Sequence, residues 1–143
     1  MDKLKLPLMV LYDTGESWYI QENAKPIAIF IESDKEAVYV KNLEKTDYIT
    51  AREMCDEMDV ANLFWSIPKD KQMQKLLNVV EDFNKTAEMI GVEPLKNAKY
   101  WTAKKIFNGV RLGVNFGLEK GVAISECEYA YTRPFLRLSN YGC

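Results

Sequence analysis

The chain has no histidine among its 143 residues, only three cysteines, five prolines and seven glycines. Each shortage removes a class of chemistry. Without histidine there is no Ser-His-Asp or Cys-His triad, no His-containing zinc site and no histidine pH switch. Cys55, Cys127 and Cys143 lie far apart with no C-x-x-C spacing, so the sequence indicates no cysteine-based metal site. An odd cysteine number in a chain of this size suits a reducing compartment, one bridge plus a free thiol being the alternative. Apolar runs such as Ile27 to Ile31 stop far short of the roughly 20 residues that span a bilayer, so no membrane insertion is expected. Met1 to Val10 contains basic residues but no apolar run of signal-peptide length and no small-residue cleavage site, so any role outside a cell implies release by a leaderless route or a leader that this sequence does not include.

The residues present describe one domain over 1–143. With 48% hydrophobic, 28% charged and 12% aromatic residues, the composition is that of a compact soluble fold and excludes disorder and collagen. A chain of this length buries roughly 68% of its unfolded surface and needs neither disulfide nor metal to do so. The formal charge of −2 is uneven. Residues 1–98 carry 12 basic and 18 acidic groups, and residues 99–143 carry 7 basic and 3 acidic. The basic excess at the C-terminal end is that of an ordinary solvated surface, and no nucleic-acid partner is indicated.

Strand patterns open the chain. Leu8 to Tyr12 reads as a strand, Asp13-Thr14-Gly15 as a turn, and Ser17-Trp18-Tyr19 as an edge or irregular segment. Ile27 to Ile31 and Ala37 to Val40 read as a hairpin turned by Ser33-Asp34-Lys35. Thr50-Ala51-Arg52-Glu53 matches a capping box, and Ala51, Met54, Cys55 and Met58 follow helical spacing, which makes Cys55 a core residue and not a nucleophile. Pro68 opens a second helical stretch with a stripe at Met73, Leu76, Leu77 and Val80. A kink or restart near Asn84 leads to a face of Phe83, Ala87 and Ile90, ended by Gly91. Strands return at Tyr100-Trp101-Thr102, Val110 to Phe116, Val122 to Ile124 and Arg133 to Leu138. Strands, two helical segments and strands again predict an α+β fold with a mainly antiparallel sheet.

Clusters of functional side chains have plain readings. The carboxylates at Glu53, Asp56, Glu57 and Asp59, and at Glu81 and Asp82, form the wet faces of helices, and no stretch has the ligand alternation of a calcium loop. Gly109, Gly113, Gly117 and Gly121 recur every four residues across strands and turns, not at a strand-to-helix phosphate loop. No cofactor or metal is expected. Each tryptophan neighbours another aromatic, as Trp18-Tyr19, Phe64-Trp65 and Tyr100-Trp101, which on a strand sends one ring inward and the other outward.

Trp65-Ser66-Ile67-Pro68, Tyr100-Trp101-Thr102-Ala103, Val114-Asn115-Phe116 with Gly121, and Arg133-Pro134-Phe135-Leu136-Arg137 occur in an order that resembles W-R-L-P … Y-W-S/T-S … V-N-F-x-x-G … R-x-V-R. That pattern is similar to the collagen-like adhesin C-terminal domains, a family with a C-type-lectin-like fold. Upstream, Tyr12 to Trp18 and Pro26 to Phe30 resemble the lead-in of gut-bacterial members. Ser66 and Ala103 depart from the pattern, as does Lys104-Lys105-Ile106-Phe107 where relatives are Asn- and Ser-rich. The resemblance implies a lectin-like scaffold with Trp65, Tyr100, Trp101 and Phe116 as framework. Glu93-Pro94-Leu95 lacks the third ligand of a calcium-dependent sugar site.

The resemblance, with no leader, implies a non-catalytic recognition or assembly module. The module so implied is adhesin-like or a phage virion component, expected to bind a protein or cell-surface glycan or to pack as a homo-oligomer. The contact candidates are Lys104, Lys105, Phe107 and Asn108 in an expected loop, Arg111 and Asn115 opposite the apolar face of their strand, and Glu126, Glu128, Tyr129 and Tyr131. The alternatives are a cytoplasmic subunit of a larger complex and a formylglycine-generating-enzyme-like oxidoreductase. The latter shares a related scaffold but needs paired reactive cysteines and a longer chain.

Overall fold

A computed structural model describes residues 4–32 and 36–137. Within them eleven strands and three α-helices run in the order β1 (Lys5–Tyr12), β2 (Gly15–Tyr19), β3 (Pro26–Glu32), β4 (Glu36–Tyr39), β5 (Leu43–Thr46), α1 (Tyr48–Glu57), β6 (Trp65–Ser66), α2 (Asp70–Asn78), α3 (Val80–Ile90), β7 (Lys99–Phe107), β8 (Val110–Asn115), β9 (Lys120–Ser125), β10 (Ala130–Thr132) and β11 (Phe135–Leu136). A 3₁₀ turn at Val60–Asn62 follows α1. The expected α+β class with a mainly antiparallel sheet is what forms, but with three α-helices in place of two helical segments and two sheets in place of one. One sheet has the order β2-β1-β3-β4-β11-β6, and the other β5-β10-β7-β8-β9. Among the described residues the single parallel contact joins Tyr131 of β10 to Tyr100 of β7.

The apolar run in β3 has a simple cause: this strand is covered on both faces. Ile29 and Ile31 enter one cluster with Val10, Met73, Leu76, Phe83 and Phe135, and Ala28 and Phe30 enter another with Leu11, Trp65 and Leu136. Successive residues of a strand point to opposite faces. The same alternation sends Tyr100 into the first cluster and its neighbour Trp101 into a third, with Tyr48, Ala51, Cys55 and Ile124 under α1. The in-and-out expectation therefore holds for Trp65 (1% exposed) beside Phe64 (56%), but both rings of Tyr100-Trp101 are fully buried and both rings of Trp18-Tyr19 are partly exposed. A strand between two covered faces has no outward side.

Two helix boundaries differ from the sequence reading. Helix α1 starts earlier than the Thr50 capping box: Asp47 is the N-cap, and its carboxylate accepts the Thr50 N–H at 2.9 Å. Aspartate caps as well as threonine does, and the hydrogen bond holds its carboxyl below the ordinary aspartate range. The second break lies at Val79, shared by the end of α2 and the start of α3, and not at Asn84. Asn84 sits inside α3, where its side-chain oxygen accepts the Leu95 N–H at 2.8 Å. Gly91 ends α3 at φ 76°, as expected of a left-handed stop. The Ser33-Asp34-Lys35 turn lies outside the described residues, although β3 and β4 pair antiparallel as the hairpin reading requires.

Ala61 sits at φ 58°. Left-handed backbone costs an alanine about 1–2 kcal/mol, and glycine's extra unfolded-state freedom costs about 0.5–1 kcal/mol. Ala61→Gly is expected to stabilise the fold by about 0.5–1 kcal/mol, measured as a raised urea midpoint.

Candidate functional site

Strand β7 changes character halfway. Tyr100, Trp101 and Thr102 are fully buried, whereas Lys104, Lys105, Ile106 and Phe107 are all exposed, Phe107 at 61% and Ile106 at 44%. The sequence change is the cause: a buried aromatic pair gives way to two lysines, whose charges stay in water. The expected loop at Lys104–Asn108 is corrected here, because residues through Phe107 remain paired with β8 and only Asn108-Gly109 turns the chain. Gly109, at φ 77°, supplies the left-handed backbone of that turn. An Asn-Gly pair between strand-forming residues is a strong hairpin signal, and it is the signal that could have placed this turn from sequence.

The pairing is irregular between Trp101 and Lys105 and again between Lys105 and Phe107. Thr102 bridges the first irregularity, its Oγ1 accepting the Lys104 N–H at 3.2 Å and donating to the Leu112 carbonyl at 2.6 Å. Bulges of this kind twist a strand pair and re-aim its side chains.

Arg111, opposite Lys105 and two residues past the turn, clamps the turn end of this hairpin. Its Nε pairs with Glu126 Oε2 at 2.7 Å, its Nη1 donates to the Ala103 carbonyl at 2.8 Å, and its guanidinium lies 4.0 Å from the centre of the Tyr48 ring. The Glu126 backbone closes the arrangement, its N–H donating to Gly109 and its carbonyl accepting from Tyr48. Arg111 and Glu126, both read as contact candidates, thus partner each other inside the domain. The side of β8 opposite its apolar face is itself covered, because Ile124 and Trp101 pack there under α1.

Other candidates are also engaged. Asn115 Oδ1 accepts the N–H groups of Gly117 and Leu118 at 2.9 and 3.1 Å, shaping the turn after β8. Glu128 pairs with Lys99 at 3.2 Å and accepts the Ser125 N–H, and these partners hold its carboxyl below the ordinary glutamate range. Tyr131 packs on Tyr100 at 5.6 Å between centroids, with Lys45 and Lys96 over its ring. Tyr129 is 67% exposed. The ten candidates therefore divide. Lys104, Lys105, Phe107 and Asn108 share one exposed hairpin end, Tyr129 is separately exposed, and the other five hold the scaffold together.

Two features escaped the sequence reading. Ile106 joins Phe107 as an exposed apolar residue. Beside the middle of β7, a cleft of about 510 Å³ is lined by Ala103 together with Glu36, Asp56, Lys69, Gln72 and Arg137. Glu36 is held in it by Gln72 at 2.7 Å and Lys75 at 3.6 Å. Sequence separation hid this cleft, since its walls come from β4, α1, α2, β7 and the segment after β11.

Cys55 is fully buried, and burial together with the Asp56 charge pushes its thiol up to about 12. It is expected to resist alkylation at pH 8 in the folded protein and to react on unfolding, read by peptide mass spectrometry. Cys127 is exposed and free, and Cys143 lies outside the described residues. Among the described residues no three His, Cys, Asp or Glu side chains group as metal ligands, and no helix is long and apolar enough to cross a membrane. No protein-family model matches the chain, and no curated protein matches it in sequence.

Proposed function

We propose that the chain is a non-catalytic recognition or assembly module on a C-type-lectin-like scaffold, adhesin-like or virion-borne, that presents the β7–β8 hairpin to a protein or cell-surface glycan. The observation carrying this reading is the exposed run Lys104–Phe107 on a strand pair whose turn end is clamped by Arg111. Exposed apolar side chains rimmed by charge mark contact surfaces, and a clamped turn end reduces the ordering cost of binding. Phe107 supplies a stacking or anchoring ring, and the lysines steer an acidic partner toward it. The buried framework of Trp65, Tyr100, Trp101 and Phe116 supports the lectin-like scaffold.

A labelled wild-type chain and the triple variant Lys104→Glu, Lys105→Glu, Phe107→Ala test the reading on arrays of glycans and purified surface proteins. Wild type binds at least one probe, and the variant loses about tenfold or more in affinity, roughly 1.4 kcal/mol, at an unchanged melting temperature. Equal binding by both proteins, or none by wild type, overturns it. The exposed free thiol of Cys127 favours a second reading, a subunit working in the reducing cytoplasm.

A further inference from the structure

We propose that β9 is the seam of a homodimer, in which the free edges of two copies pair antiparallel and join two five-stranded sheets into one. This deepens the assembly half of the reading above and rests on it. Lys120–Ser125 closes its sheet on the outer side, and among the described residues no strand pairs with it there.

The register determines which backbone groups are free. Glu126 donates to Gly109, so position 126 bonds toward β8. Antiparallel ladders alternate, so Val122 and Ile124 bond inward as well, while Gly121, Ala123 and Ser125 direct their N–H and C=O groups outward. Ser125 is already covered, its N–H donating to Glu128 Oε1 at 3.3 Å and its carbonyl accepting the Glu128 N–H at 2.9 Å. Gly121 and Ala123 remain, both exposed.

The other sheet edges are shorter or blunted. Strand β6 has two residues and β5 four. On β2, Ser17 Oγ accepts the Tyr19 N–H and donates to the Tyr19 carbonyl, both at 3.0 Å. Natural edges are commonly protected by such devices.

A two-fold axis at Val122 satisfies both free residues of β9 together. Gly121 of each copy faces Ala123 of the other, each pair exchanging N–H···O=C bonds, and Val122 meets its counterpart on the axis. Lys120 then lies diagonally across from Glu126 of the second copy, on the same face, at both ends of the seam. Opposite charges in that relation favour the register. The pairing is isologous, so it consumes the edge and stops at two copies.

The test is the light-scattering mass of the full chain across a dilution series, for wild type, Ala123→Pro and Lys120→Glu. Proline at 123 removes an outward donor without taking a bond from β8, a position where an edge strand tolerates it. Wild type is expected at twice the chain mass of 16.5 kDa, and Ala123→Pro at the chain mass with unchanged circular dichroism. Lys120→Glu, an exposed change that leaves the monomer folded, is expected to weaken association several-fold. A dimer that persists in both variants overturns the seam while the assembly reading stands. A wild-type monomer at every concentration overturns both and leaves hairpin recognition to its own binding assay.

Discussion

Arg133→Ala is expected to destabilise the domain by about 3–5 kcal/mol, a fall in Tm on the order of 10 °C. Arg133 is fully buried, yet among the described residues none of its hydrogen bonds goes to a carboxylate. Its Nε donates to the Tyr39 carbonyl at 2.6 Å, Nη1 to Asn42 Oδ1 at 2.9 Å and the Pro94 carbonyl at 3.4 Å, and Nη2 to the Glu93 carbonyl at 2.7 Å. The same Asn42 oxygen accepts the Tyr100 hydroxyl at 2.7 Å, and Phe83 lies under the guanidinium at 5.1 Å. One side chain thus ties the end of β4, the loop before β7 and the strand pair β10–β11. Burial pulls its pKa down to about 10, with Tyr100 and Glu93 opposing, so it is still charged at neutral pH. Truncation leaves buried carbonyls without donors at about 1–3 kcal/mol each, partly relieved by water. Lysine has no planar fork to reach several carbonyls at once, so Arg133→Lys should recover less than half the loss in urea denaturation. Recovery to wild-type stability by lysine would show that charge alone matters there.

Trp101→Ala is expected to cost about 3–5 kcal/mol as well, and to reach the candidate contact surface. Trp101 fills the cluster beneath α1, donates from Nε1 to the Thr46 carbonyl at 2.9 Å and meets the Tyr48 ring edge-on at 5.6 Å. Tyr48 in turn carries the Arg111 guanidinium. Removing the indole withdraws support from Tyr48, and hence from the clamp on the turn end of the hairpin. Limited trypsin digestion should then cut after Lys104 and Lys105 faster than in wild type under conditions where both proteins are folded. Unchanged cleavage there, with stability lost, would separate the core from the hairpin. Trp101→Phe is expected to lose less, because it keeps most of the packing and forgoes only the donor to Thr46.

Which of these features could be read from sequence follows from the range of the forces involved. Period-two and helical stripes are local, so β1, β3, β8 and β9, the burial of Cys55 and the stop at Gly91 were all legible. Caps were legible only as types. Asp47 and Thr50 both suit an N-cap, and the choice is made by where β5 ends. The two-sided burial of Tyr100-Trp101 was not legible, because alternation names a strand's faces without saying that both are covered. Arg111 and Arg133 show the limit most clearly. Both are basic residues in the basic third of the chain, yet one clamps a hairpin through a glutamate fifteen residues away and the other holds loops forty and more residues upstream. Tertiary partners at that distance leave no local signature. The exposed end of β7 was found as residues and missed as geometry, since two lysines suggest a loop whereas the Asn-Gly pair that follows sets a turn.

The place of β11 bears on synthesis. Phe135 pairs with Val38 on one side and Ser66 on the other, so a strand near residue 136 lies between two elements made much earlier. While the ribosome still holds that segment, β4 and β6 face each other across a gap, with Val38, Trp65 and their neighbours uncovered. The nascent chain cannot finish its first sheet until Leu136 clears the exit tunnel, and sequence-distant pairing of this kind forms slowly. For that interval the unpaired edges of β4 and β6 and their uncovered apolar side chains are open to aggregation.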